Sequence, residues 1–366
     1  MQQPESGPRI LFLSGGTALR ETVRWLKYET WNSIHLITPF DSGGSSARLR
    51  DAFGMPSVGD LRNRMIALGD EWQAGNREVF TLVNHRFPAD GERERDLREL
   101  SGLVSGEDPR VAALLPEARD TFLECIRAFD AARPRDFDLR EAKVGNLALA
   151  GGYLLAGRKL EPAIERFSEL TAVRGVVRPV VEANLHLAAE LEDGTTLIGQ
   201  HLITGRDGPP ITSPIRDLWL VDSLQGGARC APALSKSVLE LIASADLIVY
   251  PIGSFYTSVC CNLLPAGMGE ALWKSPVRHV YVPNPLPDPE QRGMTIAGAV
   301  ETIERLAGHD TVDTVLYDPT WIGYPSLPDP DALRDLDLDC AERDLVAEDG
   351  RADPERLALA LLELCD

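Results

Sequence analysis

Short apolar runs that stop at turn residues alternate with segments of helical period along most of this chain, the pattern of βαβ units. Residues 9–13 (RILFL) break at Ser14-Gly15-Gly16 and are followed by a stretch in which Leu19, Val23 and Leu26 recur at helical spacing. A second run, 34–37, stops at Thr38-Pro39. The pattern returns late in the chain: 246–250 (DLIVY) before Pro251-Ile252-Gly253-Ser254, 278–282 (RHVYV) before Pro283-Asn284-Pro285, and 312–317 (VDTVLY) before Asp318-Pro319. Helices are predicted between these runs at 234–243, 258–273 and 295–306. Strands joined by helices cross over right-handedly into a parallel sheet, whose ligands sit beyond the carboxyl ends of the strands.

Between the two halves, 175–181, 185–191 and 195–203 are β-rich around the turn Glu192-Asp193-Gly194, which predicts an antiparallel hairpin. Residues 89–141 open with the charged run DGERERDLREL and continue as an amphipathic helix over 114–129, so they are assigned to a helical insertion whose charges form a solvated face. The predicted fold class is α/β: a three-layer α/β/α Rossmann-like core with a mainly parallel sheet, a helical insertion and a small antiparallel segment. The corresponding domains are 1–88 with 142–325 for the core, 89–141 for the insertion and 326–366 for an acidic tail or helix.

With 366 residues, 44% apolar and 25% charged, the chain has the composition of a globular protein with a sizeable core. Its 37 basic and 56 acidic residues leave a net charge of −19, which repels phosphate backbones and anionic lipid and excludes non-specific nucleic-acid or membrane-surface binding. Thirteen acids against four arginines from Asp329 onward put about half of that excess at the C-terminus. No signal peptide or apolar span can be drawn at the N-terminus, and the expected location is cytoplasmic. The six cysteines have no CxxC spacing and are read as buried free thiols, and the six histidines contain no HxxxH pair for zinc.

Several constellations could carry chemistry. Ser14-Gly15-Gly16-Thr17 lies between strand and helix, where glycines admit a ligand to the backbone and unpaired N–H groups suit a phosphate; it is also the sequence of a plain tight turn. It matches neither GxGxxG nor GxxxxGK[ST]. Asp41-Ser42-Gly43-Gly44-Ser45-Ser46-Ala47-Arg48-Leu49-Arg50 combines hydroxyls and guanidiniums for a phosphate with one carboxylate for Mg²⁺ or a hydroxyl; Asp41 could equally bind ribose. Asp60, followed by Arg62, Asn63 and Arg64, is either a helix cap or a contact to metal or substrate. Asn146 is a polar residue in an apolar stretch, satisfied by a ligand or by backbone. Gly253 and Ser254, with Asn262 downstream, could form a second phosphate or nucleoside loop, with Thr257 or Ser258 capping a helix as the alternative; Asn284 faces the same crevice or serves as a turn residue. Neither a Ser-His-Asp arrangement nor an isolated carboxylate pair is visible, so hydrolase chemistry of those kinds has no support.

The order SGGTAL, DSGGSSARLR, GDLRNRMIAL, VGNLALA, RPVVEANLHLAAELEDGTTLIGQ, ADLIVYPIGSFYTSVCCNLLPAGM and YVPNP resembles the CofD/YvcK family over residues 9–310 apart from the insertion. That family includes 2-phospho-L-lactate transferase, which moves a phospholactyl group from a guanosine diphosphate-type donor with Mg²⁺ and release of GMP, and YvcK-type members, which bind UDP-sugars and act in regulating carbon metabolism. The resemblance implies that Gly15, Gly16 and Thr17 lie at nucleotide phosphates, that Asp41 is the metal or acceptor-side carboxylate, and that Gly253 and Ser254 cradle the nucleotide, with Asn146 and Asn284 in the same pattern. Ser45, Ser46, Arg48, Arg62 and Asn63 are added as nucleotide or phosphate contacts, and Asp60 joins Asp41 as a catalytic candidate. Ser42 stands where many relatives have a second Asp, Pro251 where Gly is usual, and GGSSARLR is closer to the YvcK form. The leading expectation is a Mg²⁺-assisted CofD-like transferase acting on a nucleoside diphosphate-linked donor. The rival is a non-enzymatic nucleotide-sugar-binding regulator that contacts a partner protein through its insertion and acidic tail. Expected ligands are GDP, GMP or a UDP-sugar, and relatives imply a homodimer.

Overall fold

Strand β1 (Ile10–Ser14) is buried along its whole length, as a central parallel strand covered on both faces must be. The computed structural model describes residues 3–205 and 209–365; Met1, Gln2 and Asp366, included in the sequence-based spans, lie outside them. The remaining strands in chain order are β2 (Ile34–Ile37), β3 (Val176–Pro179), β4 (His186–Leu191), β5 (Thr196–Ile198), β6 (Ile215–Val221), β7 (Arg229–Cys230), β8 (Leu247–Tyr250), β9 (Arg278–Tyr281), β10 (Thr314–Tyr317) and β11 (Asp339–Glu342). Seven of them form one sheet in the order β11-β10-β9-β8-β1-β2-β3, with every neighbouring pair parallel. The other four form a small antiparallel sheet, β5-β4-β6-β7. This is the predicted Rossmann-like α/β class.

The chain packs as two compact units: Met1–Thr38, Gly175–Val181 and Leu185–Asp366 form the first, and Pro39–Arg174 with Glu182–Asn184 the second. Both sheets belong to the first. Its helices include Arg20–Leu26, Lys236–Ala243, Ile296–Ala307 and Pro354–Glu363. The second unit is helical, with Gly44–Phe53, Gly59–Leu68, Asn76–Asn84, Arg93–Ser105, Pro116–Ala132, Val144–Leu155 and Leu160–Leu170 as its main elements. Its apolar centre includes Phe122, Ile126, Phe129, Leu147 and Ile164, all essentially without exposure. Helix Val144–Leu155 lies so close to Pro116–Ala132 that a Cβ on Gly151 would fall 1.8 Å from the Cys125 carbonyl oxygen.

Three local expectations are corrected. Residues 176–179 do not join the hairpin; they pair with β2 as the parallel edge strand, where Pro179 is tolerated because an edge needs fewer ladder donors. The hairpin is β4–β5 alone, since Gly199 at φ 107° ends the strand and Gln200–Ile203 turns helical. The span 258–273 is not one helix. Its backbone winds widely over Phe255–Val259 and tightly over Cys260–Leu263, then breaks at Pro265, which has no N–H to give, before Met268–Trp273 begins.

The acidic C-terminal stretch supplies β11, paired with β10, and then the helix Pro354–Glu363, whose N-cap Asp353 accepts the N–H groups of Glu355 and Arg356. All six cysteines are free: Cys125, Cys260 and Cys261 are buried as expected, but Cys340 on the edge strand is exposed and Cys230 and Cys365 are half-buried. Among the described residues, no helix is long and apolar enough to cross a membrane.

Candidate functional site

In the first unit the sheet reverses its direction of growth between β1 and β8: β2 and β3 follow on one side, β9, β10 and β11 on the other. Such a switch point opens a crevice outside the carboxyl ends of the two strands. The turns that leave them are Ser14 to Thr17 and Pro251 to Ser254. Gly15 and Gly16 are buried and Thr17 is exposed, and the Thr17 carbonyl accepts the Arg20 N–H at 3.1 Å as the next helix starts. Gly253 has φ 147°, a value that strains any residue with a side chain, and a Cβ there would stand 3.6 Å from that of Ala18. The segment after β1 and the Gly253 turn are therefore close neighbours. They open onto a cavity of about 690 Å³, whose walls include Thr17, Gly253, Ser254 and Asn284.

Asn284 grips Gly253 from both sides, its Oδ1 accepting the glycine N–H at 2.8 Å and its Nδ2 donating to the glycine carbonyl at 2.7 Å. Below the turn lie two acids the sequence reading passed over. Asp288 accepts the Phe255 N–H at 2.8 Å. Glu290 accepts the N–H groups of Tyr256 at 2.8 Å and Thr257 at 2.9 Å, and the Thr257 hydroxyl at 2.6 Å. Thr257 is thus held by an acid and does not cap a helix, while the Asn262 amide donates back to the Ser258 carbonyl at 2.8 Å. Burial pushes the Glu290 carboxyl up to about 7, helped by the nearby Asp288 charge and opposed by its three donors. Asp288 is raised for the same first reason, burial. The signal that could have found them was a pair of acids in a proline-rich loop leaving the strand that ends beside Asn284.

In the second unit the 41–50 segment becomes the start of helix Gly44–Phe53. Asp41 is half-buried and accepts the Gly43 N–H at 3.1 Å. Ser45 Oγ receives the Asn146 amide at 3.1 Å, and the buried Asn146 Oδ1 has no hydrogen-bond partner among the described residues. Ser46 is buried beneath Gly59, where a Cβ would meet its Oγ at 2.6 Å and Asp41 Oδ2 at 3.6 Å. Asp41, Ser45, Ser46, Gly59 and Asn146 are therefore one cluster.

The arginines are occupied by the protein itself. Arg48 pairs with Asp138 at 3.1 Å and bonds the Arg140 carbonyl. Arg50 is buried and braces the carbonyls of Phe40 and Asp41 at 3.2 and 3.0 Å and Asn184 Oδ1 at 2.9 Å, with burial lowering its guanidinium to about 10. Arg62 is also buried, bonded to the Val83 carbonyl and to Asn63 and Asn84. Asp60 is not the cap of its helix; Val58 takes that position, and Asp60 stands in the first turn, its charge opposing the burial of Arg64. Among the described residues, no three His, Cys, Asp or Glu side chains converge as a metal cage.

Comparison with known proteins gives this geometry a family. The model of the 2-phospho-L-lactate transferase CofD family matches residues 10–339. The chain belongs to the CofD family. Similar proteins include a gluconeogenesis factor of Bacillus subtilis, 27% identical with 92% of this chain and 87% of the relative covered. A putative gluconeogenesis factor of a Nostoc species is 29% identical over 82% of this chain, which spans only 53% of that relative's length. Among solved structures, a UPF0052-family protein from Bacillus halodurans aligns with TM-score 0.74 and 25% identity, covering 98% of this chain and 99% of that one. Family membership supports a role in handling phosphorus-containing groups.

Proposed function

We propose that this chain binds a nucleoside diphosphate-linked ligand at the turns following β1 and β8, and that it acts as a non-enzymatic regulator, a reading supported by its similarity to proteins named gluconeogenesis factor. The observation that carries the binding reading is the Gly253 turn, locked by Asn284 at the switch point and facing a cavity of about 690 Å³, inside the size range of small-molecule sites. The ligand remains unchanged in this reading, and a partner protein reads the bound state.

A second reading, transfer chemistry of the CofD kind, is favoured by the family model. Mg²⁺ tolerates one or two carboxylates when substrate phosphates and water complete its shell, so the lone carboxylate of Asp41, with the Ser45 hydroxyl in its cluster, is compatible with it. When bound, the ion would neutralise charge on the phosphates that complete its shell. Asp41 itself would hold the ion and keep its orientation through the Gly43 N–H. Asn146 would hold the Ser45 hydroxyl in place within the same cluster.

Thermal shift against GDP, GMP, UDP, UDP-sugars and NAD, each with and without Mg²⁺, tests the shared part. A ligand at 100 times its Kd stabilises by about 2.7 kcal/mol. A shift with a nucleotide-sugar that is recovered intact supports the regulator. Release of free nucleotide in the presence of an acceptor supports the transferase. No shift with any nucleotide removes both.

A further inference from the structure

We infer that the cavity between residues 91–97 and 136–140 of the helical unit takes an alkylammonium group, with Asp96 as its counter-ion. This second site is independent of the nucleotide reading above.

The charged run DGERERDLREL has the composition of a solvated face, yet Asp96 within it is only 2% exposed, and its Oδ1 has no hydrogen-bond partner among the described residues. Asp96 stands in the first turn of helix Arg93–Ser105, where the positive end of the helix favours an acid but supplies this oxygen with no donor. An ionised carboxylate can only accept, and one buried without donor or counter-charge is among the costliest groups a fold can carry. Burial, and after it the charge of Glu99, raise the Asp96 carboxyl above its ordinary value, and the guanidiniums of Arg95 and Arg140 offset this only in part. A cation beside Oδ1 would supply both the missing donor and the missing charge.

There is room for one. Asp96 lines a cavity of about 350 Å³, within the size range of small-molecule sites. Gly91 lines it too and stands against the acid, since a Cβ there would fall 2.6 Å from both carboxylate oxygens. The other lining charges are engaged: Asp138 pairs with Arg140 at 2.8 Å and with Arg48 at 3.1 Å, and Arg93 donates to the Arg135 carbonyl. With Asp96 and the exposed Asp136, three carboxylates face two guanidiniums along the wall, a balance that favours a cation. Leu97, Phe137 and Leu139 give apolar surface for an aliphatic stem. A single unpartnered oxygen suits the point charge of an ammonium better than the two-pronged fork of a guanidinium. A free alkylamine and the lysine side chain of a partner protein present the same group.

The test is calorimetric titration of the full chain with 1,4-diaminobutane and with the Nα-acetyl methylamides of lysine, arginine and norleucine. It is run on the parent protein, on Asp96→Asn, and on Leu97→Trp, whose indole fills the cavity and leaves the acid in place. The expected result is that at least one amine binds the parent, that the uncharged norleucine compound does not, and that each variant weakens the amine by at least about tenfold. Tighter binding of the lysine compound assigns the site to a partner's side chain, and tighter binding of the diamine assigns it to a free amine. If Asp96→Asn lowers the melting temperature, Leu97→Trp decides. Amine binding at parental strength in the deciding variant, a preference for the arginine compound, or failure of both amines to bind the parent overturns the inference.

Discussion

Asn284 closes a two-way hydrogen bond on Gly253, accepting its N–H at 2.8 Å and donating to its carbonyl at 2.7 Å across 31 residues of chain. One amide thereby pins the turn after β8 to the loop after β9, two of the segments that line the candidate crevice. Asn284→Ala is expected to cost about 1–2 kcal/mol of stability, since both glycine groups are half-buried and lose their partner. Urea unfolding measures it. Nucleotide affinity measured on the same variant should fall by more than stability alone accounts for.

Gly253→Ala tests the backbone of that turn directly. No neighbouring atom stands closer than 3.6 Å to the added Cβ, so the penalty is that of φ 147° itself, about 1–3 kcal/mol. A loss below about 0.5 kcal/mol in denaturant unfolding would show that the turn relaxes without difficulty.

The Glu290 carboxyl gives a pH dependence with a definite sign. Its folded value of about 7 lies above the ordinary 4.5, so the folded chain holds its proton over a window in which the unfolded chain has released it. Stability from this group is complete below about pH 4.5 and is lost as pH rises through about 7, by up to about 3 kcal/mol. Asp288, raised as well, acts in the same direction. Unfolding titrations at pH 5, 6, 7 and 8 should show Glu290→Gln with a flatter profile than the parent; an unchanged profile would rule out Glu290 as its source.

Asp41 and Arg50 are neighbours with opposite expectations. Asp41→Asn keeps an oxygen for the Gly43 N–H and should unfold within about 1 kcal/mol of the parent, while any Mg²⁺-dependent ligand shift disappears. Arg50→Met leaves the Phe40 and Asp41 carbonyls and the Asn184 amide oxygen without their shared donor, and is expected to cost about 3 kcal/mol. Thermal melts with and without Mg²⁺ separate the two.

Gly151→Ala is expected to be the most damaging single methyl in the second unit. The new carbon would overlap the Cys125 carbonyl, and a close-packed helix pair can only separate in response, costing about 3 kcal/mol or more. Circular dichroism during heating reports it.

Much of the sheet was legible because its strands are short, largely apolar runs that stop at Ser14-Gly15, Thr38-Pro39, Pro251 and Pro283, the composition of a parallel strand buried on both faces. The turns at Ser14 and Gly253 were legible for the same reason, since glycine at the end of such a run marks a backbone that a side chain would obstruct. Asp339–Glu342 was not legible as a strand: on an open edge beside β10, the paired backbone holds residues of almost any polarity. Arg48, Arg50 and Arg62 read as phosphate ligands by type alone, and local sequence carries no information about partners such as Asp138, Asn184 and Val83, which come from elsewhere in the chain.

The periodicity of apolar residues, a local property repeated every two or every 3.6 positions, determined by itself that this chain forms a parallel α/β sheet with glycine turns at its carboxyl edge. Tertiary structure alone decided which polar groups are spoken for. Asp288 and Glu290 lie 33 and 34 residues beyond the N–H groups they hold, and only folding brings a donor and an acceptor that far apart to within 3 Å.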